Sequence, residues 1–223
     1  MTYPFRAEAR KDLNIAKTEL ATADDARLRF AALQLRLALE ALTYERAQMY
    51  QDELPPSEID VWQPGKVIKV LIEIEPHTYQ NATYRIRREA SETSPAGDWM
   101  PLGHDVVIPM KEVQKHHSAL SSALHMPTIK QLNADQGFNP AKIRSKCEEA
   151  IVAIEKALCS TVRTNLGHFQ SFDCGRCSIR VRRRLGVRGT SVEAECYGPQ
   201  NGAGCGARYT VFRHLDDTVE VVP

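Results

Sequence analysis

The stretch CGRCSIRVRRRLGVRGTSVEAECYGPQNGAGC, residues 174–205, decides the fold of the C-terminal quarter of the chain. Its cysteines Cys174, Cys177, Cys196 and Cys205 have the spacing C-x2-C-x18-C-x8-C. The first pair and the interval to the third cysteine match a four-thiolate zinc pattern. Zn²⁺ takes four ligands tetrahedrally, and two thiolates two residues apart reach one ion from a tight turn. The spacing therefore predicts a structural zinc site.

Short strands are predicted between and after these cysteines. The segment SIRVRRRLGVRGTSVEAE predicts a strand, a turn at Gly189 and a second strand, and RYTVFRHL predicts a third. Two metal-binding turns joined by short strands are typical of a zinc ribbon, which we expect over residues 170–223. The gap YGPQNGAG before Cys205 is longer than a standard zinc turn and predicts a loop that bulges out.

Two other uses of the cysteines compete with zinc: a redox C-x-x-C at Cys174 and Cys177, and a pair of disulfides. No secretory segment or transmembrane run opens the sequence, which favours a reducing, cytoplasmic location without membrane association and disfavours disulfides. A redox C-x-x-C usually opens a helix after a strand, whereas SIRVRRR has the pattern of a strand. Structural Zn²⁺ is therefore the expected cofactor.

Positive charge is concentrated in the C-terminal part. The whole chain has a formal charge of +1, which predicts no general affinity for polyanions, but residues 161–223 contain nine Arg, no Lys and six acidic residues. Such a patch attracts RNA or DNA. The predicted nucleic-acid contacts are Arg180, Arg182, Arg183 and Arg184. The alternative is a solvated strand face, with Arg180, Arg182 and Arg184 on one side and Arg183 on the other.

Residues 1–165 are predicted to be mainly helical. In the long segment ARLRFAALQLRLALEALTYERAQMY, apolar residues recur every seven positions, at Leu28, Leu35, Leu42 and Met49. Others cover the remaining faces, at Phe30, Leu33, Leu37 and Tyr44. A helix that is apolar on most sides is expected to be central and buried.

Further elements are predicted along this part. GKVIKVLIEIE predicts a buried helix, and ATYRIRREA with HDVVIP predicts a β-hairpin inserted between helices. Helices are then predicted from Lys111 to Leu124 and from Pro140 onward, the latter capped by Asn139. The predicted fold class is mainly α: a helical bundle with a small β-hairpin insert, followed by a small β-rich zinc ribbon.

Polar and thiol side chains stand out in the helical part. Arg36 and Glu40 lie four residues apart among apolar neighbours, so they must pair with each other or a second helix, or serve a function. Cys147 and Cys159 are about 18 Å apart along a helix, too far for one metal, and are expected in the core. His116 and His117 point about 100° apart and are expected at the surface.

The run RFAALQLRLALEALTYER, with the later helix end LSSALH, resembles the HEPN (higher eukaryote and prokaryote nucleotide-binding) domains over roughly residues 20–165. The resemblance implies a bundle of a few helices, a homodimer, and a place in a phage-defence or toxin–antitoxin system. Relatives joined to a zinc ribbon exist. In active members, an Arg followed four to six residues later by a His cleaves RNA at the dimer interface.

The resemblance indicates two candidate catalytic elements, Arg163 with His168, and His125 in LSSALHMPT. RNA cleavage needs a base for the 2′-hydroxyl proton and a cation for the phosphate, which His and Arg supply. The alternative for His125 is a histidine favoured at a helix C-terminus. Phosphate-binding glycine loops and protease or EF-hand motifs are absent from the sequence.

Three functions remain as hypotheses. The first is a nucleic-acid-binding protein of a defence or toxin system, with the bundle a metal-independent ribonuclease. The second is a non-catalytic interaction or dimerisation module with a structural zinc ribbon. The third is a thiol-redox protein acting through Cys174 and Cys177.

Overall fold

Helices dominate the chain up to Leu158, and short antiparallel strands supply the regular structure of the remainder, in a computed structural model of the protein. The structure describes residues 3–22, 24–51, 53–54, 63–90, 93, 95–133, 139–163, 165, 167–197 and 204–223. Among these described residues, helix is the main regular structure and strand contributes a smaller share. The predicted combination of helices with small β elements and a C-terminal cysteine cluster is therefore confirmed. The division into a bundle over 1–165 and a ribbon over 170–223 stays a prediction.

The helices are α1 Phe5–Leu20, a short 3-10 turn Asp25–Arg27, α2 Leu28–Met49, α3 Pro64–Ile74, α4 Met110–Leu124, α5 Ile129–Asn133 and α6 Pro140–Leu158. The strands are β1 Ala82–Ile86, β2 Met100–Asp105, β3 Phe169–Asp173, β4 Arg180–Arg184, β5 Thr190–Glu195, β6 Arg208–Arg213 and β7 Val219–Val222. They form three antiparallel sheets in the orders β1-β2, β3-β4 and β5-β6-β7.

Local sequence signals explain where several helices begin. The Asn139 side chain accepts a hydrogen bond from the Lys142 backbone N–H, and Pro140 occupies the first turn of α6, as predicted. The Asp24 side chain accepts a hydrogen bond from the Ala26 backbone N–H at the start of the 3-10 turn that leads into α2. Such caps satisfy N–H groups that have no partner within the helix.

The main core surrounds α2. Helix α1 contributes Ala9, Leu13 and Ala16, which lie on one face because they are four and three residues apart. The small side chains Ala31, Ala32 and Ala38 of α2 are fully buried and allow close approach of neighbouring helices. Helices α4 and α6 complete this core with Val113, Leu120, Cys147, Ala150 and Ile154.

One face of α2 differs from the prediction of a helix buried on most sides. Leu28 and Leu35 are fully buried, but Phe30, Leu33 and Leu37 are 61%, 37% and 38% exposed. Helices α1, α3, α4 and α6 pack against the other sides of α2. Among the described residues, no helix or strand packs over the stripe that Phe30, Leu33 and Leu37 form.

The inserted hairpin is present, with a different second strand. Strand β1 pairs with Met100–Asp105 rather than with HDVVIP. The predicted and observed second strands therefore overlap only at His104 and Asp105. Asp105 is buried and accepts two hydrogen bonds from Arg46, at 2.7 and 2.9 Å. This pair attaches the hairpin to α2.

The two remaining cysteines behave differently from each other. Cys147 is fully buried in the core, as predicted, and burial raises the pKa of its thiol to about 11. Cys159 is exposed, because it follows the last residue of α6. The expectation that it lies in the core is therefore wrong.

Candidate metal centre

The structure brings the four C-terminal cysteines together. Their sulfur atoms all lie within 4.8 Å of one another, with Cys174 Sγ 3.5 Å from Cys205 Sγ and Cys177 Sγ 3.5 Å from Cys196 Sγ. Cys174 and Cys196 are only 2% and 1% exposed, whereas the other two are half-buried. This cluster can hold a metal ion.

The first cysteine pair lies on a turn closed by backbone hydrogen bonds. The Cys174 N–H donates to the Ile179 carbonyl at 2.8 Å, and the Ser178 N–H donates to the Cys174 carbonyl at 2.8 Å. Ser178 has a positive φ of 58°. This turn aims both thiols to the same side, since the chain reverses direction between them.

The second pair repeats this turn despite its longer gap. The Cys196 N–H donates to the Ala207 carbonyl at 2.9 Å, and the Gly206 N–H donates to the Cys196 carbonyl at 3.1 Å. Gly206 has φ 66° and corresponds to Ser178 of the first turn. Residues 198–203 of the predicted bulging loop lie outside the described residues.

Tyr209 on β6 supports the cluster and was not identified from the sequence. Its hydroxyl lies 3.0 Å from Cys174 Sγ and accepts a hydrogen bond from the Gly175 N–H at 2.9 Å. The hydrogen bond with Tyr209 lowers the pKa of Cys174 to about 6, whereas burial raises that of Cys196 to about 12. A bound cation would favour the thiolate form of all four sulfurs. Only the position of this tyrosine four residues after Cys205 hinted at such a contact.

The predicted arginine face is only partly available to a partner. Arg180 and Arg182 are exposed on one face of β4, as the alternation predicted, and Val181 between them is buried. The Arg182 guanidinium lies 4.0 Å from the centroid of the Phe169 ring. Arg183 is half-buried on the opposite face.

Arg184 has a different role from the predicted phosphate contact. It is 7% exposed, with Nη1 2.8 Å from Glu75 Oε2 and Nε 3.5 Å from Glu53 Oε2. It also donates to the side chain of Asn165. These partners precede β3 in the chain, so Arg184 joins the ribbon strands to the helical part. Burial among carboxylates removes it from the candidate nucleic-acid surface.

The candidate catalytic residues lie apart in the fold. His125 is exposed at the C-terminal end of α4. Arg163 forms an ion pair with Glu45 of α2. His168 is exposed just before β3, and both Arg163 and His168 lie beyond the last residue of α6. Among the described residues, no hydrogen bond or ion pair connects either histidine side chain to an arginine. Their catalytic role stays a prediction.

A polar cluster of α2 and α4 includes a histidine that was expected at the surface. Arg36 Nε lies 2.9 Å from Glu40 Oε1, which confirms the predicted pairing, and 3.1 Å from His117 Nε2. Burial opposes ionisation of Glu40, yet hydrogen bonds with His117 and Arg36 lower its pKa below the ordinary value. His117 is half-buried and His116 is buried, so the expectation that both lie at the surface is wrong.

Comparisons with known proteins leave the chain without an assigned relative. No known protein family, curated protein or solved structure matches it. The HEPN resemblance therefore stays a prediction. Within the described ranges, no helix has both the length and the apolar character that a membrane crossing requires.

Proposed function

We propose that this chain is a zinc-binding protein, in which one structural Zn²⁺ organises the C-terminal ribbon, and that it binds RNA or DNA. The proposal of a zinc site rests on the cluster of four cysteine sulfurs. Four sulfurs at about 2.3 Å from one zinc ion lie about 3.8 Å apart. The two closest pairs are 3.5 Å apart and all four sulfurs lie within 4.8 Å, which fits this tetrahedron. Four protein ligands leave no open position, as expected for a structural rather than a catalytic ion.

Metal analysis tests the zinc proposal. We expect about one zinc per chain, and loss of most of it in the variant Cys177→Ser/Cys205→Ser. The matched control is Cys159→Ser, an exposed cysteine outside the cluster, which should retain its zinc. Chelation should unfold residues 170–223, because metal binding supplies much of the folding free energy of a small ribbon. A zinc-free preparation with a folded ribbon would contradict the proposal.

The exposed arginines of the ribbon support the proposal that the protein binds RNA or DNA. Arg180 and Arg182 lie side by side on β4, and Arg176 is exposed in the first cysteine turn. A phosphate backbone is the complementary partner for such a set, and each contact releases counterions. Binding to labelled RNA or DNA should therefore weaken with salt. The variant Arg180→Ala/Arg182→Ala should reduce the slope of log affinity against log salt by roughly 1.4 to 1.8.

The control for this experiment is Arg188→Ala. Arg188 is exposed and forms an ion pair with Asp217, as Arg180 does with Asp173, but it lies outside the β4 face that carries Arg180 and Arg182. Its loss should change the salt slope less than the double substitution does. An unchanged slope in Arg180→Ala/Arg182→Ala would remove the ribbon from nucleic-acid binding. Placement in a defence or toxin system rests on the HEPN resemblance alone, and a companion nuclease or antitoxin gene beside this one would support it.

A second candidate function is a non-catalytic dimerisation module, favoured by the exposed stripe Phe30, Leu33 and Leu37 on α2. Their spacing of three and four residues places them on one side of the helix, and a second copy would bury them in a twofold interface. Light scattering should give a dimer that Leu33→Glu/Leu37→Glu converts to a monomer. The control Val152→Glu alters an exposed apolar residue on α6 instead. A monomeric wild-type protein would exclude this function.

A further inference from the structure

The inserted hairpin β1–β2 extends from the bundle as an exposed two-stranded sheet. Of its strand residues, only Asp105 is buried, through its pair with Arg46. At its base, Gly103 packs so closely against Thr161 and Val162 that a Cβ there would lie 2.4 Å from Thr161 Oγ1. That contact covers one face near the base, so the opposite face points away from the protein.

The register assigns the residues to the two faces. Arg85 pairs with Pro101 and Thr83 with His104, while Ile86 pairs with Met100. Directly paired residues share a face, and successive residues alternate except at a bulge between Tyr84 and Arg85, where Leu102 has no direct partner. The outward face therefore carries Thr83, Arg85, Pro101 and His104, and the other face carries Tyr84, Ile86 and Met100.

An arginine and a tryptophan extend the outward face toward the tip. The Arg87 guanidinium lies 4.6 Å from the centroid of the Trp99 ring, as expected for the next pair on this face. The Trp99 side chain remains 56% exposed although it is among the largest apolar groups of the chain. The strand residues of this face include no acidic side chain, and Glu89 and Asp98 lie in the connecting loop.

We infer that this face binds single-stranded nucleic acid, with a base stacked on Trp99 and phosphates held by Arg85 and Arg87. An exposed aromatic ring beside guanidinium groups is the combination that retains unpaired bases. A duplex keeps its bases stacked inside and offers the ring no partner. The inference deepens the proposed nucleic-acid binding by naming the single-stranded form, and it uses residues separate from the ribbon arginines.

A lipid surface fits the hairpin less well. Insertion into a bilayer interface would require an apolar tip. Apart from half-buried Gly97, the described residues of the connecting loop are exposed and include Arg88, Glu89 and Asp98, with no aliphatic side chain larger than alanine or proline. Of the larger apolar strand residues, Ile86 and Met100 lie on the opposite face from the arginines, and Leu102 lies at the bulge.

The test measures binding of the full chain to labelled oligouridine of about 20 nucleotides and to a duplex of equal length, by fluorescence anisotropy. We expect preference for the single strand, and a loss of affinity of about 5- to 150-fold for Trp99→Ala. Trp99→Phe, which keeps a stacking ring, should lose clearly less. Arg85→Ala/Arg87→Ala should lower the salt slope by roughly 1.4. Circular dichroism checks that these surface variants remain folded.

The outcomes separate the two nucleic-acid sites. If Trp99→Ala binds like the wild type while Arg180→Ala/Arg182→Ala loses binding, the hairpin inference is overturned and the ribbon proposal stands. The reverse pattern supports the hairpin and removes the ribbon. Equal binding of single strand and duplex overturns the inference, as does binding to vesicles of anionic phospholipid without binding to oligouridine. Absence of binding to any oligonucleotide overturns both.

Discussion

Replacing Arg184 with methionine should destabilise the protein strongly, although an arginine on a ribbon strand would ordinarily be a surface residue. The substitution keeps an unbranched chain but removes the guanidinium that faces Glu75 at 2.8 Å and Glu53 at 3.5 Å. Glu53 is only 3% exposed, so its carboxylate would remain buried without its cation. Breaking one side of a buried ion pair costs about 3–5 kcal/mol.

Packing against aromatic rings adds to this cost. The Arg184 guanidinium lies 4.8 Å from the Phe169 centroid and 5.3 Å from that of Tyr50, and methionine retains part of these contacts. Glu53 also keeps a hydrogen bond from the Asn165 side chain at 3.0 Å, which softens the penalty. We therefore expect a loss of about 3 kcal/mol in the free energy of unfolding, at the lower end of the range for buried pairs.

Urea denaturation of the zinc-loaded protein at neutral pH, followed by circular dichroism, measures this loss. The control Arg180→Met removes an arginine of the same strand, exposed and 3.8 Å from Asp173, and should cost under about 1 kcal/mol. Adding Glu53→Gln to Arg184→Met should recover part of the stability, because the unpaired carboxylate is then gone. If Arg184→Met costs no more than Arg180→Met, or Glu53→Gln makes it worse, Arg184 does not act as the buried cation of this junction.

Four further predictions concern the candidate metal site and the helical bundle. Tyr209→Phe should weaken zinc affinity roughly 10-fold in a competition titration with a chelator, because Cys174 loses its hydrogen bond, and unchanged affinity would contradict this. Ser178→Gly should stabilise the ribbon by up to about 1 kcal/mol and Gly206→Ala should destabilise it by a similar amount, since both positions have positive φ. Burial lowers the pKa of His116, so the unfolded chain binds the proton first as pH falls. The contribution of neutral His116 to the free energy of unfolding is therefore full above about pH 6.5 and decreases below it. His116→Gln should flatten that decrease in urea midpoints measured at several pH values, and an unchanged decrease would contradict this role of His116. If the bundle is a ribonuclease, His125→Ala or His168→Ala should reduce EDTA-resistant cleavage about 100-fold or more, with 2′,3′-cyclic phosphate ends in the wild type. Equal background cleavage in all three proteins would end the enzyme hypothesis.

Local signals in the sequence determined several of the elements and the candidate metal ligands. The spacing of Cys174, Cys177, Cys196 and Cys205 predicted a cluster that the structure brings within 4.8 Å. Asn139 and Pro140 predicted the start of α6 because a cap acts within one helical turn. These features depend on residues close in sequence, or on four thiols whose spacing suits one small ion, and they can be predicted without knowing the rest of the fold.

Burial and contacts between distant residues required the tertiary structure. Arg184 looked like its neighbours on β4, and it is the contacts with Glu53 and with Glu75, 109 residues away, that make it an internal ion-pair residue. Phe30 looked like a core residue, yet no described element packs over that side of α2. Trp99 and Arg87 share a face only because a bulge sets the register of β1 and β2. A side chain's environment is set by whichever element packs against it, and that element is seldom its neighbour in the sequence.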